Sequence, residues 1–467
     1  MKNNHLCALN ILSPLLIILI MFSVFSCLKT TDDEEDKKKI IIPDENFITN
    51  TQDITVPFAV KINFSNGRAD VNNPYEGSGV AVSVDGQNVT ITSTMSQTEV
   101  NYVLSGKTSN GFVKIYSDYK FGLRLNGVSI LNPTGAAINI QSGKKVSVTL
   151  VDKTSNRLID GGTFQMTEGE DMKGTFFSEG QLVFDGVGSL LVYGNYGHAI
   201  CSDDFIQINS GNITVNNAIS DGIHCNDYFL THGGNVVINA RSDGVDCTNG
   251  YIAINGGAIK VNNCGGKGLK CFENVAISGG KIEIESLDNG INANGNIVVT
   301  GGEIYCNSGK NGIVSNERAI AVTGGIIVAS AVKNVFDCVG TFSFSGGTVA
   351  GTGSATSIPT ASDCTQRAVV WGDSKFTAGQ VISIKSSSNF EVLTFKLPRA
   401  YSGNMALVFS SPLLQANTDY TIYKGGTVAS GGNDFHGLYS GTVSSGGTSA
   451  ATFTTSSMVT AVGNVVQ

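Results

Sequence analysis

Basic patches are missing from this chain, and with them the means of holding nucleic acid. Its 467 residues carry a net charge of −8, whereas affinity for nucleic acid comes largely from Lys and Arg on phosphates. Such an acidic surface suits cations, or acidic sugars bridged by one. Proline is scarce, with 8 residues, and there is 1 Trp against 57 Gly. Helical periodicity is absent from the middle of the chain, and so is the leucine pattern of a leucine-rich repeat. No Ser-His-Asp set, phosphate-cradling loop or nucleotide fingerprint stands out, which leaves no secure catalytic set. The one long apolar run, residues 11–25, is too short and wrongly flanked for a membrane span.

What the chain does have is a repeat. Glycines recur at Gly211, Gly234, Gly257, Gly280, Gly302, Gly325 and Gly347, in steps of 22 or 23 residues. A period of this size marks a solenoid, whose coils contact only their neighbours. A two-residue alternation follows each glycine, as in Ile213/Val215, Val236/Ile238, Ile259/Val261, Ile282/Ile284, Ile304/Cys306 and Ile327/Ala329. The residues between, Thr214, Val237, Lys260, Glu283, Tyr305 and Val328, are mixed, as solvent-facing positions would be. A second apolar pair precedes most of these glycines (Ile206/Ile208, Ile252/Ile254, Val275/Ile277), and a third run follows the next turn (Ile223/Cys225, Val245/Cys247, Leu269/Cys271). The pattern predicts an all-β fold: a right-handed parallel β-helix with three short strands per coil and β-structured caps.

In chain order, residues 1–27 read as a targeting segment ending in Val24-Phe25-Ser26-Cys27. This resembles the bacterial lipobox, which makes Cys27 the expected lipidation site and the lipid the only membrane attachment. The charged run Asp32–Lys39 lies within a tether, residues 28–45. Acidic residues soon after the cysteine resemble the surface-export signal of Bacteroidetes-type lipoproteins, so the expected location is the outer membrane, facing outward. Residues 46–110 read as an N-terminal cap with the first irregular coils, 111–364 as the β-helix, and 365–467 as a C-terminal β cap. The segment Gly161–Lys173, with Glu168, Glu170 and Asp171, breaks the rhythm as an inserted loop.

In a β-helix, residues one coil apart stack at about 4.8 Å, so chemistry is read down columns. The turn before the third strand gives His198, Asp221, Asp243, Lys267, Asn289 and Asn311. The outward position inside that strand gives Cys201, His224, Asp246, Lys270, Asn292 and Val314. Acidic residues thus gather on one edge: Asp203, Asp204, Asp221, Asp227, Asp243 and Asp246. Like charges held this close call for a cation, and hard oxygen ligands suit Ca²⁺. The alternative is that Asp-Gly pairs such as Asp221-Gly222 only form turns. His224, Lys267 and Lys270 stand beside this edge as candidate ligand contacts. Lys270 is the candidate base should the protein cleave a polyuronate by elimination, with Ca²⁺ acidifying the proton; otherwise both lysines pair with Asp243 and Asp246. Asn216, Asn239, Asn262, Glu285 and Asn307 form a second polar column, expected to tie turns together. The inward cysteines read as buried thiols, with disulfides between coils the alternative outside the cytoplasm. His232 and His436 read as incidental, and outward aromatics such as Tyr305 mark no sugar-stacking platform.

The succession Gly122-Leu123-Arg124-Leu125-Asn126-Gly127-Val128-Ser129-Ile130, then Asn132–Ile140, then Ser220-Asp221-Gly222-Ile223-His224-Cys225-Asn226-Asp227, resembles a family of secreted bacterial carbohydrate-binding β-helix proteins. The tail Phe409-Ser410-Ser411-Pro412 with Tyr420-Thr421-Ile422-Tyr423 continues the resemblance, which covers roughly residues 55–460. It implies a fold like that of calcium-dependent pectate lyases and binding of cell-wall polysaccharide, including acidic kinds. It also implies Ca²⁺ at Asp221, Asp227 and Asp243, with Asp204 and Asp246 following. Lys267 departs from the pattern, standing where neighbouring coils carry Asp. The expected protein is a lipid-anchored monomer that binds polysaccharide; a pectate-type lyase and an adhesin for protein ligands are the alternatives.

Overall fold

A computed structural model describes residues 47–467. The lipobox with Cys27 and the tether 28–45 lie outside the described residues. Stacked parallel coils form a β-solenoid, and among the described residues the only helix is the 3₁₀ turn Ala361–Asp363. Each middle coil has the three expected strands. Its third strands make a ladder of 12, while its first and second strands belong to one sheet of 23. In the first and last coils these two merge into single strands of 12 residues, Phe121–Asn132, Ile320–Ala331 and Phe342–Gly353.

Register follows from the apolar positions. Ile213, Val236, Ile259, Ile282, Ile304 and Ile327 pair in succession down the second strand. All are buried, because a one-residue slip would move each of them from core to solvent. Thr231 interrupts the first-strand column as a buried polar residue, and its hydroxyl donates to the Gly256 carbonyl at 3.2 Å. The bend between first and second strands is tight enough to need positive φ. Gly257, at φ +86°, shows why the repeat is written in glycine: a Cβ there would meet the Gly233 carbonyl oxygen at 2.6 Å.

Antiparallel pairing closes both sheets upstream and the large sheet downstream. Upstream, Val60–Ser65 pairs antiparallel with Arg68–Asn72, and Val80–Asp85 with Asn88–Ser93, while the same elements start the parallel stack. Downstream, Tyr401–Ser410 pairs antiparallel with the last coil strand and with Ala368–Phe376, and a six-stranded sheet completes the cap. This cap has its own core around Trp371, and it buries Tyr305, Val328 and Ala350 of the solenoid. The expectation that Tyr305 and Val328 face solvent therefore fails: they lie under a lid supplied by residues far along the chain.

Asp160, wholly buried, accepts backbone N–H groups of Asn195 and Tyr196. Burial dominates over these bonds and pushes its carboxyl from 3.8 up to about 7. Between those values the folded chain keeps a proton that the unfolded chain has lost, so stability is full at low pH and falls as pH rises toward 7. The slope contributed is at most about 1.4 kcal/mol per pH unit. Urea midpoints compared at pH 4.5 and 7.5 should show Asp160→Asn missing this loss; parallel pH profiles for variant and parent would refute it.

Candidate functional site

The turn column is a hydrogen-bond ladder. Asp221 Oδ1 accepts the Asp243 backbone N–H at 3.0 Å, and Asp243 Oδ1 accepts that of Lys267 at 2.6 Å. Further along, Asn289 Oδ1 accepts from Asn311 and Asn311 Oδ1 from Asn334, both at 3.1 Å. Asp and Asn are interchangeable in this role, since each offers one oxygen to the coil that follows. The second polar column contributes less: Asn239 donates to the Val215 carbonyl at 3.2 Å, and Asn307 instead meets Arg399 of the cap.

The remaining aspartate oxygens do not converge on one centre. Asp203 takes the Lys173 ammonium at 2.7 and 2.8 Å. Asp204 accepts from Gln181 and stands beside the exposed Asp227. Burial, then the Asp204 charge, raises the Asp227 carboxyl above its usual range. Asp243 and Asp246 share Lys270, whose Nζ is 3.3 Å from one and 3.0 Å from the other. Asp221 Oδ2 faces two imidazoles, with Nδ1 of His198 at 3.2 Å and Nδ1 of His224 at 3.1 Å. Among the described residues, His198, Asp221 and His224 are the only three or more His, Cys, Asp or Glu whose ligand atoms all lie within 4.8 Å of one another. Burial works to raise the Asp221 carboxyl, yet the histidine contacts outweigh it and hold it far below the usual range.

The two candidate lysines separate. Lys267 turns its ammonium toward Asp288, at 3.9 Å, and gives only its backbone N–H to Asp243. Lys270 pairs with both aspartates; burial would lower its pKa, but the Asp246 contact prevails and raises it. A general base at neutral pH needs the opposite shift.

Three features went unread in the sequence. His198 stands in the turn column and His224 in the strand column, so their diagonal meeting across coils is invisible to a column-by-column reading. Phe205, Tyr228 and Tyr251, spaced 23 residues apart, form an aromatic stack with ring centroids 4.3 and 5.0 Å apart. Each follows the turn carrying Asp204, Asp227 or Gly250, and Tyr251 is exposed at the end of the row; their spacing was the signal. His436, read as incidental, stacks on Tyr305 at 3.7 Å and reaches Glu283 at 3.3 Å, pinning the cap to the solenoid.

A family model described as "Carbohydrate-binding domain-containing protein" matches residues 85–288 and 267–452, spanning the coils and most of the cap. The chain belongs to this carbohydrate-binding domain family. A relative of the same description from Acetivibrio thermocellus is 30% identical over 159 residues, covering 33% of this chain and 52% of the relative. The chain thus spans about half the length of that relative. A solved structure titled as a polysaccharide lyase-like protein from C. thermocellum, in a gadolinium derivative, aligns at 27% identity with a TM-score of 0.40. It covers 52% of this family member and 92% of that chain.

Proposed function

We propose that this protein binds polysaccharide along the edge formed by Asp204, Asp227 and the stack Phe205–Tyr228–Tyr251, with Ca²⁺ bridging protein and sugar. The observation carrying the reading is the alternation of carboxylate and ring on successive coils. Coils rise by about 4.8 Å, close to the length of one pyranose in an extended glycan, so each sugar would meet an equivalent turn. Asp204 and Asp227 offer oxygen donors of the kind Ca²⁺ selects, and among the described residues no ammonium pairs with either. Asp203 and Asp243, by contrast, are already engaged by lysines. The open ring of Tyr251 supplies an apolar face for a sugar at the end of the row. On this reading a lipid on Cys27 and the tether 28–45 hold the domain outside an outer membrane, where polysaccharide is met.

Calorimetric titration with oligogalacturonides, with Ca²⁺ and after chelation, tests the assignment. Binding should require Ca²⁺ and weaken about tenfold in Asp227→Asn and in Tyr251→Ala, roughly 1.4 kcal/mol each. Binding unchanged by both substitutions and by chelation would remove the site from this edge.

A further inference from the structure

The geometry points to a second and chemically different cation site: His198, Asp221 and His224, with Asp246 flanking them, form a pocket for a borderline divalent metal of the Zn²⁺ class. It lies on the same edge as the proposed Ca²⁺ site but does not depend on glycan binding.

Four observations converge. The donor atoms are spaced for such an ion. Ligands about 2.0–2.1 Å from a tetrahedral Zn²⁺ lie roughly 3.3–3.4 Å from one another. Here Asp221 Oδ2 is 3.2 and 3.1 Å from the two imidazole nitrogens, which leaves the fourth position open; Asp246 Oδ2, 3.7 Å from His224 Nδ1, stands outside this trio.

Second, the site is unsatisfied without a cation. His198 Nδ1 faces both the Asp221 backbone N–H, at 3.3 Å, and Asp221 Oδ2. One nitrogen cannot accept the first hydrogen bond and donate the second. Asp246, only 6% exposed, carries an Oδ1 that is buried with no hydrogen-bond partner. Lys270 meets only Oδ2 of this carboxylate, so Oδ1 keeps its desolvation penalty.

Third, the charge fits. Asp243 and Asp246 share a single ammonium, that of Lys270, while Asp221 meets only the two imidazoles. With neutral imidazoles, two negative charges remain, which one divalent ion cancels.

Fourth, the ligands are held from behind. Thr248 Oγ1 stands 3.4 Å from His224 Nε2, leaving Nδ1 turned to the carboxylates. The His198 and His224 rings stack at 4.2 Å, which limits their rotation. Support of this kind fixes ring orientation in metal sites. Two imidazoles among the donors select against Ca²⁺, which prefers oxygen alone.

The test uses purified full-length protein stripped with chelator and titrated with Co²⁺, then Zn²⁺, in the presence of excess Ca²⁺. Expected are one equivalent of Co²⁺ with the intense visible bands of a four-coordinate site, and its displacement by Zn²⁺. His198→Ala and His224→Ala should each weaken Co²⁺ binding by at least about 100-fold, and Asp246→Asn about tenfold. Asp204→Asn should leave it unchanged while abolishing any Ca²⁺ response, so the two cation sites fail separately. Absence of the four-coordinate bands in the parent overturns the assignment, as does equal binding by the folded histidine variants. Should a histidine variant not fold, the parent spectrum and Asp246→Asn decide by the same criteria.

Discussion

Asp243→Ala is expected to lower stability by about 3 kcal/mol, whereas Asp243→Asn should cost about 1 kcal/mol. The difference rests on which oxygen matters. Oδ1 of Asp243 is the rung that receives the Lys267 backbone N–H, at 2.6 Å, and alanine leaves that donor unpaired between coils. Asparagine keeps the rung, as Asn289 and Asn311 do in later coils. What asparagine loses is the contact between Oδ2 and Lys270 at 3.3 Å. That ammonium is more than a third exposed and retains Asp246, so solvent screening makes the loss small. Urea denaturation of both variants decides the point. Equal losses would mean that charge, not the ladder, is what Asp243 contributes.

The second large effect is expected at the bend. Gly257→Ala should cost at least about 3 kcal/mol, from left-handed backbone strain together with crowding of close-packed chain. At φ +86° an L side chain is strained on its own account, and its Cβ would also meet the Gly233 and Gly234 carbonyl oxygens at 2.6 and 2.7 Å. Those oxygens are backbone in a neighbouring coil and cannot swing aside as a side chain would. Gly143→Ala is the matched control: nothing stands within 4 Å of its Cβ position, and a change within about 0.5 kcal/mol is expected. A loss at Gly257 no greater than this control would show that the bend can widen without penalty.

Much of this architecture was legible because the solenoid maps sequence separation onto space. Ile259, Ile282 and Ile304 stack for the same reason that they are spaced by one coil, and the turn column from His198 to Asn311 is continuous in the fold as in the sequence. The electrostatics was less legible. Reading the aspartates as one cluster overlooked Lys173, which reaches Asp203 from the end of an inserted loop, and Gln181, which reaches Asp204. It also overlooked the diagonal from His198 to His224, because columns record neighbours along the axis and not those offset across the turn. The burial of Tyr305 and Val328 could not be read locally. Both obey the strand alternation, and what changes their environment is a sheet encoded about a hundred residues downstream.

The antiparallel strands at the two ends have a consequence for how long the molecule can be. A parallel coil left bare would offer the same unpaired rungs that every internal coil offers its neighbour, and a second copy could extend the stack. At the downstream end Tyr401–Ser410 takes the rungs of Val349–Gly353 in the opposite direction, so the register a further coil would need in the large sheet is spent. The number of turns is therefore a genetic quantity rather than one set by concentration. Lengthening the edge, and with it the span of any chain-like ligand it meets, requires duplicating a 22- or 23-residue unit between the caps. Such duplications would leave both closures intact.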